Sequence, residues 1–271
     1  MLHFPSCKIN IGLYVVNRRN DGYHNIESAF YPVSFLTDIL EIVESENNCD
    51  NYFFSGLGFD VSKEQNLCFK VVELLRKNYT FPKIDLYLHK VVPMGAGLGG
   101  GSADAAKTLL MINSIFNLNI SYDILKSYAL ELGSDCPFFI ENKPQIGEGR
   151  GEILKPFLTN LSGKYLLVVK PNIHITTSQA YKNVVPNDSR ISIEEILKKE
   201  IREWKTYLEN DFEKSVFAQF PQIMELKATL YSMGAIYAQM SGSGAACYGI
   251  FSEKPKTYNI PSDWQCFVGR L

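Results

Sequence analysis

A chain of 271 residues that is 46% apolar, 13% aromatic and 21% charged has the make-up of a globular protein of one large or two small domains, which excludes a disordered segment, a collagen-like repeat and a disulfide-stapled miniature. With 27 Lys and Arg against 29 Asp and Glu, the net charge of −2 removes the overall basic footprint of a non-specific nucleic-acid binder. The start, MLHFPSCKIN, lacks a charged stretch ahead of an apolar core, and no apolar run approaches the ~18 residues that span a bilayer, so a cytoplasmic protein without a membrane segment is expected.

Alternating apolar residues over 8–16 and again over 26–35 predict two strands, joined by a turn in which Asp21-Gly22 supplies the positive φ. A third strand is expected at 39–44. Residues 67–75 carry apolar side chains at helical spacing behind Asn66, a residue suited to an N-cap. Ile84, Leu86 and Leu88 then alternate with polar partners in a strand that runs into Val91-Val92-Pro93. Five of the 19 glycines fall within 95–101, followed by a helical pattern to about Phe116 and a second helix over 122–132. Gly133-Ser-Asp-Cys-Pro137 breaks that helix, and Phe138-Phe-Ile140 reads as a renewed extended run. A short buried strand follows at 166–170, helical spacing at 193–204 and 212–233, and two strands at 236–240 and 245–251 about the turn Ser241-Gly-Ser-Gly244. The shift from strand-rich to helix-rich composition near residue 155 predicts a two-lobed α+β molecule. Cys7, Cys49, Cys68, Cys136, Cys247 and Cys266 contain no C-x-x-C pair and read as free thiols.

A strand, a glycine-dense loop and a helix make an anion site, because backbone N–H groups and the helix dipole point to one place. Gly95-x-Gly97-x-x-Gly100 satisfies the dinucleotide fingerprint, but that fingerprint needs a strand after the helix and an acidic residue about 20 positions on. Here a second helix follows, and Asp123 lies within it. The Walker pattern fails too, since Gly101 stands where a motif starting at Gly95 needs lysine. A ligand-free turn would not justify the conformational entropy of five glycines in seven positions, so phosphate binding is the better reading.

Three separated segments resemble the GHMP kinase superfamily: Pro93-Met-Gly-Ala-Gly-Leu-Gly-Gly-Gly-Ser102 its ATP loop, Lys8-Ile-Asn10 its first motif, and Ser241-Gly-Ser-Gly-Ala245 its third. Within it, Asp21-Gly-Tyr-His24, the triple glycine before Ser102-Ala-Asp-Ala-Ala106, and Gly133-Ser-Asp-Cys-Pro-Phe-Phe139 resemble the branch that phosphorylates 4-diphosphocytidyl-2-C-methyl-D-erythritol in non-mevalonate isoprenoid synthesis. The resemblance spans nearly the whole chain. It implies an α+β GHMP kinase architecture with a ribosomal-protein-S5-like N-terminal lobe carrying the ATP loop, here residues 1–155, and a ferredoxin-like C-terminal lobe, residues 156–271. It further implies ATP with the Mg²⁺ it carries and a small-molecule acceptor, while charge and apolar patterning point to no nucleic-acid or membrane partner and the sequence leaves open a monomer or a weak homodimer.

The same resemblance assigns roles. Asp135 matches the catalytic base that accepts the acceptor's hydroxyl proton, and Lys8 the lysine that holds it ionised. Gly95, Gly97, Leu98, Gly99, Gly100, Gly101 and Ser102 match the triphosphate loop, with Asn66 and Lys90 near adenine or phosphate. Asn10, Tyr23, His24, Phe30, Thr177 and Tyr181, with Gly242, Ser243 and Gly244 of the third motif, fall on the acceptor side, Tyr181 stacking on cytosine opposite Tyr23. Taken singly, Asp135 is a turn former, Asn66 an N-cap, Lys90 a solvated lysine and His24 a turn histidine. The four histidines have no metal spacing, and no protein-held metal is implied. Cys7 stands where the family usually has alanine, and Ala245-Ala246-Cys247 replaces a more usual polar residue. Another GHMP small-molecule kinase and a non-catalytic metabolite sensor on the same scaffold are the alternatives.

Overall fold

A computed structural model describes residues 1–58, 62–159, 161–257 and 259–271. Its strands in chain order are β1 (Leu2–His3), β2 (Ser6–Arg18), β3 (His24–Thr37), β4 (Ile39–Glu44), β5 (Asn51–Gly56), β6 (Ile84–Lys90), β7 (Gln145–Glu148), β8 (Ile153–Pro156), β9 (Tyr165–Lys170), β10 (Tyr237–Met240), β11 (Cys247–Phe251) and β12 (Gln265–Arg270). The helices are α1 (Leu67–Arg76), α2 (Gly100–Ile115), α3 (Tyr122–Leu132), α4 (Cys136–Glu141), α5 (Thr177–Tyr181), α6 (Ile193–Leu197), α7 (Ile201–Tyr207), α8 (Asp211–Gln219) and α9 (Pro221–Ser232). Two compact units interleave along the chain.

The first unit holds Met1–Cys7, Leu36–Met94 and Gly99–Lys143. Its sheet has the order β1-β4-β6-β5, with β4 antiparallel and β5 parallel to β6. The period-2 pattern of β6 buries Ile84, Leu86 and Leu88 on one face, as the alternation requires. Helix α1 starts where the Asn66 side chain accepts the Cys68 N–H, and it packs on α2. The buried side of α2 includes the small residues Ala103, Ala105 and Ala106, against which α1, α3 and α4 lie.

The second unit holds Lys8–Phe35, Gly95–Leu98 and Pro144–Leu271. One sheet runs β2-β3-β7-β8 and another, antiparallel throughout, β10-β11-β9-β12. Helices α8 and α9 close the second sheet over a core of Leu167, Val169, Phe212, Val216, Ile223, Leu226 and Leu230.

Three expectations change. Phe138-Phe-Ile140 is helical, not extended: Pro137 sits in the first turn of α4, where its missing N–H costs nothing, and Asn142 ends the helix in the left-handed region. Residues 193–204 form two helices, because Glu200 and Glu203 build a capping box that starts α7 afresh. Residues 212–233 divide at Pro221, which opens α9. The strands β1, β5, β7, β8 and β12 and the helix α5 are additions to the sequence reading.

Candidate active site

In the first unit α2 follows Gly99, its N-cap, whose φ of 70° places it in the left-handed region that glycine tolerates. No side chain caps the start of α2, so its first N–H groups are left for an external anion. Gly101 is exposed there, and a Cβ on it would meet nothing nearer than Leu67 Cδ1 at 4.0 Å. A Cβ at Gly100 would instead lie 2.8 Å from Val92 and 3.3 Å from the Lys90 ammonium. Ser102 follows in the first turn, half-buried.

Lys90 is 4% exposed and donates to Asp38 and, at 2.6 Å, to Asp104 in α2. The other Asp38 oxygen accepts the Val91 and Val92 N–H groups at 2.6 and 2.8 Å. One ammonium thus ties the exit of β6 to the start of α2. Burial alone would lower the Lys90 pKa, but Asp104 and Asp38 outweigh it and raise it. Burial pushes the Asp104 carboxyl up to about 7, with Asp38 adding to the rise and Lys90 opposing it. Lys90 is therefore a buried ion-pair partner of Asp38 and Asp104, not the solvated lysine that its residue type alone suggests. Asn66 likewise spends its side-chain oxygen on the α1 cap. Asp135 occupies the position before α4, half-buried, and its side chain does not cap that helix.

In the second unit three motifs meet at one carbonyl. Lys8 is 3% exposed, and its ammonium lies 2.5 Å from Asn10 Oδ1, 3.5 Å from the Gly97 carbonyl and 5.1 Å from the centre of the Phe30 ring. Asn10 donates to Ser28 Oγ, which donates on to the Gly12 carbonyl. Gly95 and Gly97 take φ of 59° and 73°. The Lys8 N–H donates to Leu98 O, and the Ala246 N–H to Ala96 O, so backbone bonds hold both sides of this part of the loop. A Cβ on Gly97 would fall inside the carbonyl oxygen of Ser241, which fixes this position as glycine on space as well as on φ. Gly242 and Gly244 have φ of 52° and 87° in the turn with Ser243 between β10 and β11. Asn210 donates to the Met240 and Gly242 carbonyls, both at 2.8 Å, and so pins that turn.

The expected acceptor residues divide. Tyr181 stacks on His24, ring centres 4.8 Å apart, and meets Phe212 edge-on. Tyr23 is exposed and lies under the Arg150 guanidinium at 5.0 Å, and the ring stacked on Tyr181 is that of His24. Thr177 is exposed at the start of α5. Phe30 is 1% exposed, packed against Gly147 and beneath Lys8, a floor rather than an open wall. Sequence reasoning missed Asp38, Asp104, Ser241, Asn210 and Arg150. Asp104 and Ser241 lay inside quoted motifs, whereas Asp38 and Asn210 carry no local signal.

Two sequence models match: the one described as GHMP kinases N terminal domain over residues 66–143, and the one described as GHMP kinases C terminal over 192–269. The 4-diphosphocytidyl-2-C-methyl-D-erythritol kinase of Bacteroides thetaiotaomicron is 45% identical over 277 aligned residues, covering 100% of both chains. That of Azobacteroides pseudotrichonymphae is 46% identical over 93% of this chain and 94% of its own. A crystal structure of a 4-(cytidine 5'-diphospho)-2C-methyl-D-erythritol kinase superposes with a TM-score of 0.77 at 30% identity, covering 92% of this chain and 90% of that one. A homoserine kinase from Cytophaga hutchinsonii, with a TM-score of 0.70 at 14% identity over 100% of this chain and 94% of that one, shares the fold.

Proposed function

The chain belongs to the 4-diphosphocytidyl-2-C-methyl-D-erythritol kinases of the GHMP kinase superfamily, and from that premise we propose that it moves the γ-phosphoryl group of ATP onto the C2 hydroxyl of 4-diphosphocytidyl-2-C-methyl-D-erythritol. The family lobes are taken to be residues 1–155 and 156–271. Gly95, Gly97, Leu98, Gly99, Gly100, Gly101 and Ser102 receive the triphosphate, and Mg²⁺ carried with ATP supplies charge neutralisation when bound. Asp135 takes the hydroxyl proton as the C2 oxygen attacks phosphorus, the bond from phosphorus to the bridging oxygen breaks, and ADP leaves. Lys8 attracts the attacking C2 oxygen and favours the ionised form of the base. Tyr181 and His24 receive the nucleobase end. Asn10, Tyr23, Thr177, Gly242, Ser243 and Gly244 flank the acceptor, and Phe30 supports them from the core.

The observation that carries this reading is the pairing of an uncapped helix start behind a left-handed Gly99 with 45% identity to such kinases along the full chain. Transfer of this kind is mostly positioning and charge stabilisation, which a loop held by backbone bonds supplies. Incubation with ATP, Mg²⁺ and the cytidine-linked acceptor, its uridine analogue and free methylerythritol phosphate tests it. ADP release with the first acceptor, at a kcat/KM roughly 100-fold or more above the second, is the expected result. Equal turnover of all three, or of none, would sink the reading.

A further inference from the structure

Ser241 is fully buried at the end of β10, where its N–H donates to Ala246 O and its carbonyl accepts the Gly244 N–H. Those bonds close the turn on itself and leave the hydroxyl as the group that reaches beyond it. That hydroxyl donates to the Gly97 carbonyl at 2.8 Å and accepts the Asn10 N–H at 3.2 Å. The Gly97 carbonyl is the one that the Lys8 ammonium approaches at 3.5 Å, and Asn10 Oδ1 holds the same ammonium at 2.5 Å. One oxygen therefore touches two of the groups that contact the Lys8 ammonium.

We infer that Ser241 is a positioning residue for phosphoryl transfer, acting through the Gly97 carbonyl and Asn10 to hold the Lys8 ammonium. The inference rests on the function proposed above. With the hydroxyl in place, the Gly97 carbonyl has a neutral donor on one side and Lys8 on the other, and the Asn10 backbone has a buried acceptor. Without it, the Asn10 N–H is stranded in a dry interior and the Gly97 carbonyl turns to the ammonium alone. Lys8 is then drawn toward the loop backbone and away from the attacking oxygen. Such a shift acts on the transition state more than on the binding of either substrate.

The test is a two-residue cycle in the full-length protein, with Ser241→Ala, Lys8→Met and the double variant. Ser241→Ala should lower kcat by about 10–100-fold, the scale of an ångström-level misplacement, with both KM values within about threefold. In the Lys8→Met background the same change should cost less than about threefold, since the group it positions is gone. A merely structural serine gives the same loss in both backgrounds, and that result, or an unchanged kcat, overturns the inference. Should Ser241→Ala not fold by circular dichroism, Ser241→Cys enters the same cycle and is judged by the same criterion. An inactive wild-type protein overturns the proposed function itself, and with it this inference. An active wild type beside an equally active Ser241→Ala overturns the inference alone.

Discussion

The imidazole of His24 and the phenol ring of Tyr181 lie face to face, with centroids 4.8 Å apart and planes 23° apart. His24 begins β3 and Tyr181 ends α5, so a strand residue and a helix residue distant in sequence build one aromatic step, braced from behind by Phe212. A flat nucleobase can join such a step by stacking, while hydrogen bonds from groups like the imidazole choose the base. Tyr181→Ala should therefore weaken acceptor binding by about 1–3 kcal/mol and leave ATP binding alone. Calorimetric titration with each substrate checks it, and an unaltered acceptor affinity would remove Tyr181 from the acceptor side.

Asp135 offers a sharper outcome. Asp135→Asn keeps the shape and the place before α4 but removes the proton acceptor. Under the proposed mechanism kcat falls by roughly 10²–10⁴ with ATP affinity nearly unchanged. Single-turnover kinetics beside an ATP titration measures both, and activity within a few-fold of wild type would assign the base elsewhere.

How much was legible in the sequence depended on the range of the forces involved. Helix α3 matched its expected bounds because its apolar spacing is a local signal, and Asn66 caps α1 because a cap is a local bond. Phe138-Phe-Ile140 misled because three apolar residues carry no period, and the capping box at Glu200 acts through only one pair of residues. The loop was legible because left-handed glycines are written into it. Its supports were not: Asp38 lies 52 residues from Lys90, and Ser241 144 residues from Gly97. Such partners are chosen by the fold, and the bare residue types read as a solvated lysine and a turn serine.

The glycines of the loop now separate by what surrounds them. Gly97 and Gly100 have no room for a side chain, so valine at either should damage the packing along with the nucleotide site. Gly101 has room, lies inside α2 and is exposed. Gly101→Ala should keep or raise the melting temperature, because alanine gains up to ~1 kcal/mol over glycine in a helix. The added methyl stands over an N–H that the phosphate must approach, so ATP affinity should fall about tenfold, or ~1.4 kcal/mol. Stability and affinity moving in opposite directions is the signature. A variant that binds ATP as well as wild type would place the phosphates away from the head of α2.

Asp104 makes the stability of the protein depend on pH. Burial raises its carboxyl from an ordinary 3.8 to about 7, so between those values the folded protein keeps a proton that the unfolded chain has lost. Bound protons are then more numerous in the folded state, and stability from this group falls as pH rises through that window. The contribution is fully present below about pH 4 and gone above about pH 7. Asp104→Asn cannot titrate, and its amide still offers Lys90 an oxygen. The variant should be less stable than wild type by the widest margin near pH 4, and the margin should narrow steadily toward pH 7. Chemical denaturation of both proteins at intervals across that range measures the difference, which includes the change at Lys90, whose raised pKa depends on Asp104. A margin that widens with pH would mean that Lys90 holds Asp104 ionised in the folded protein, with the ion pair stronger than the cost of burying it.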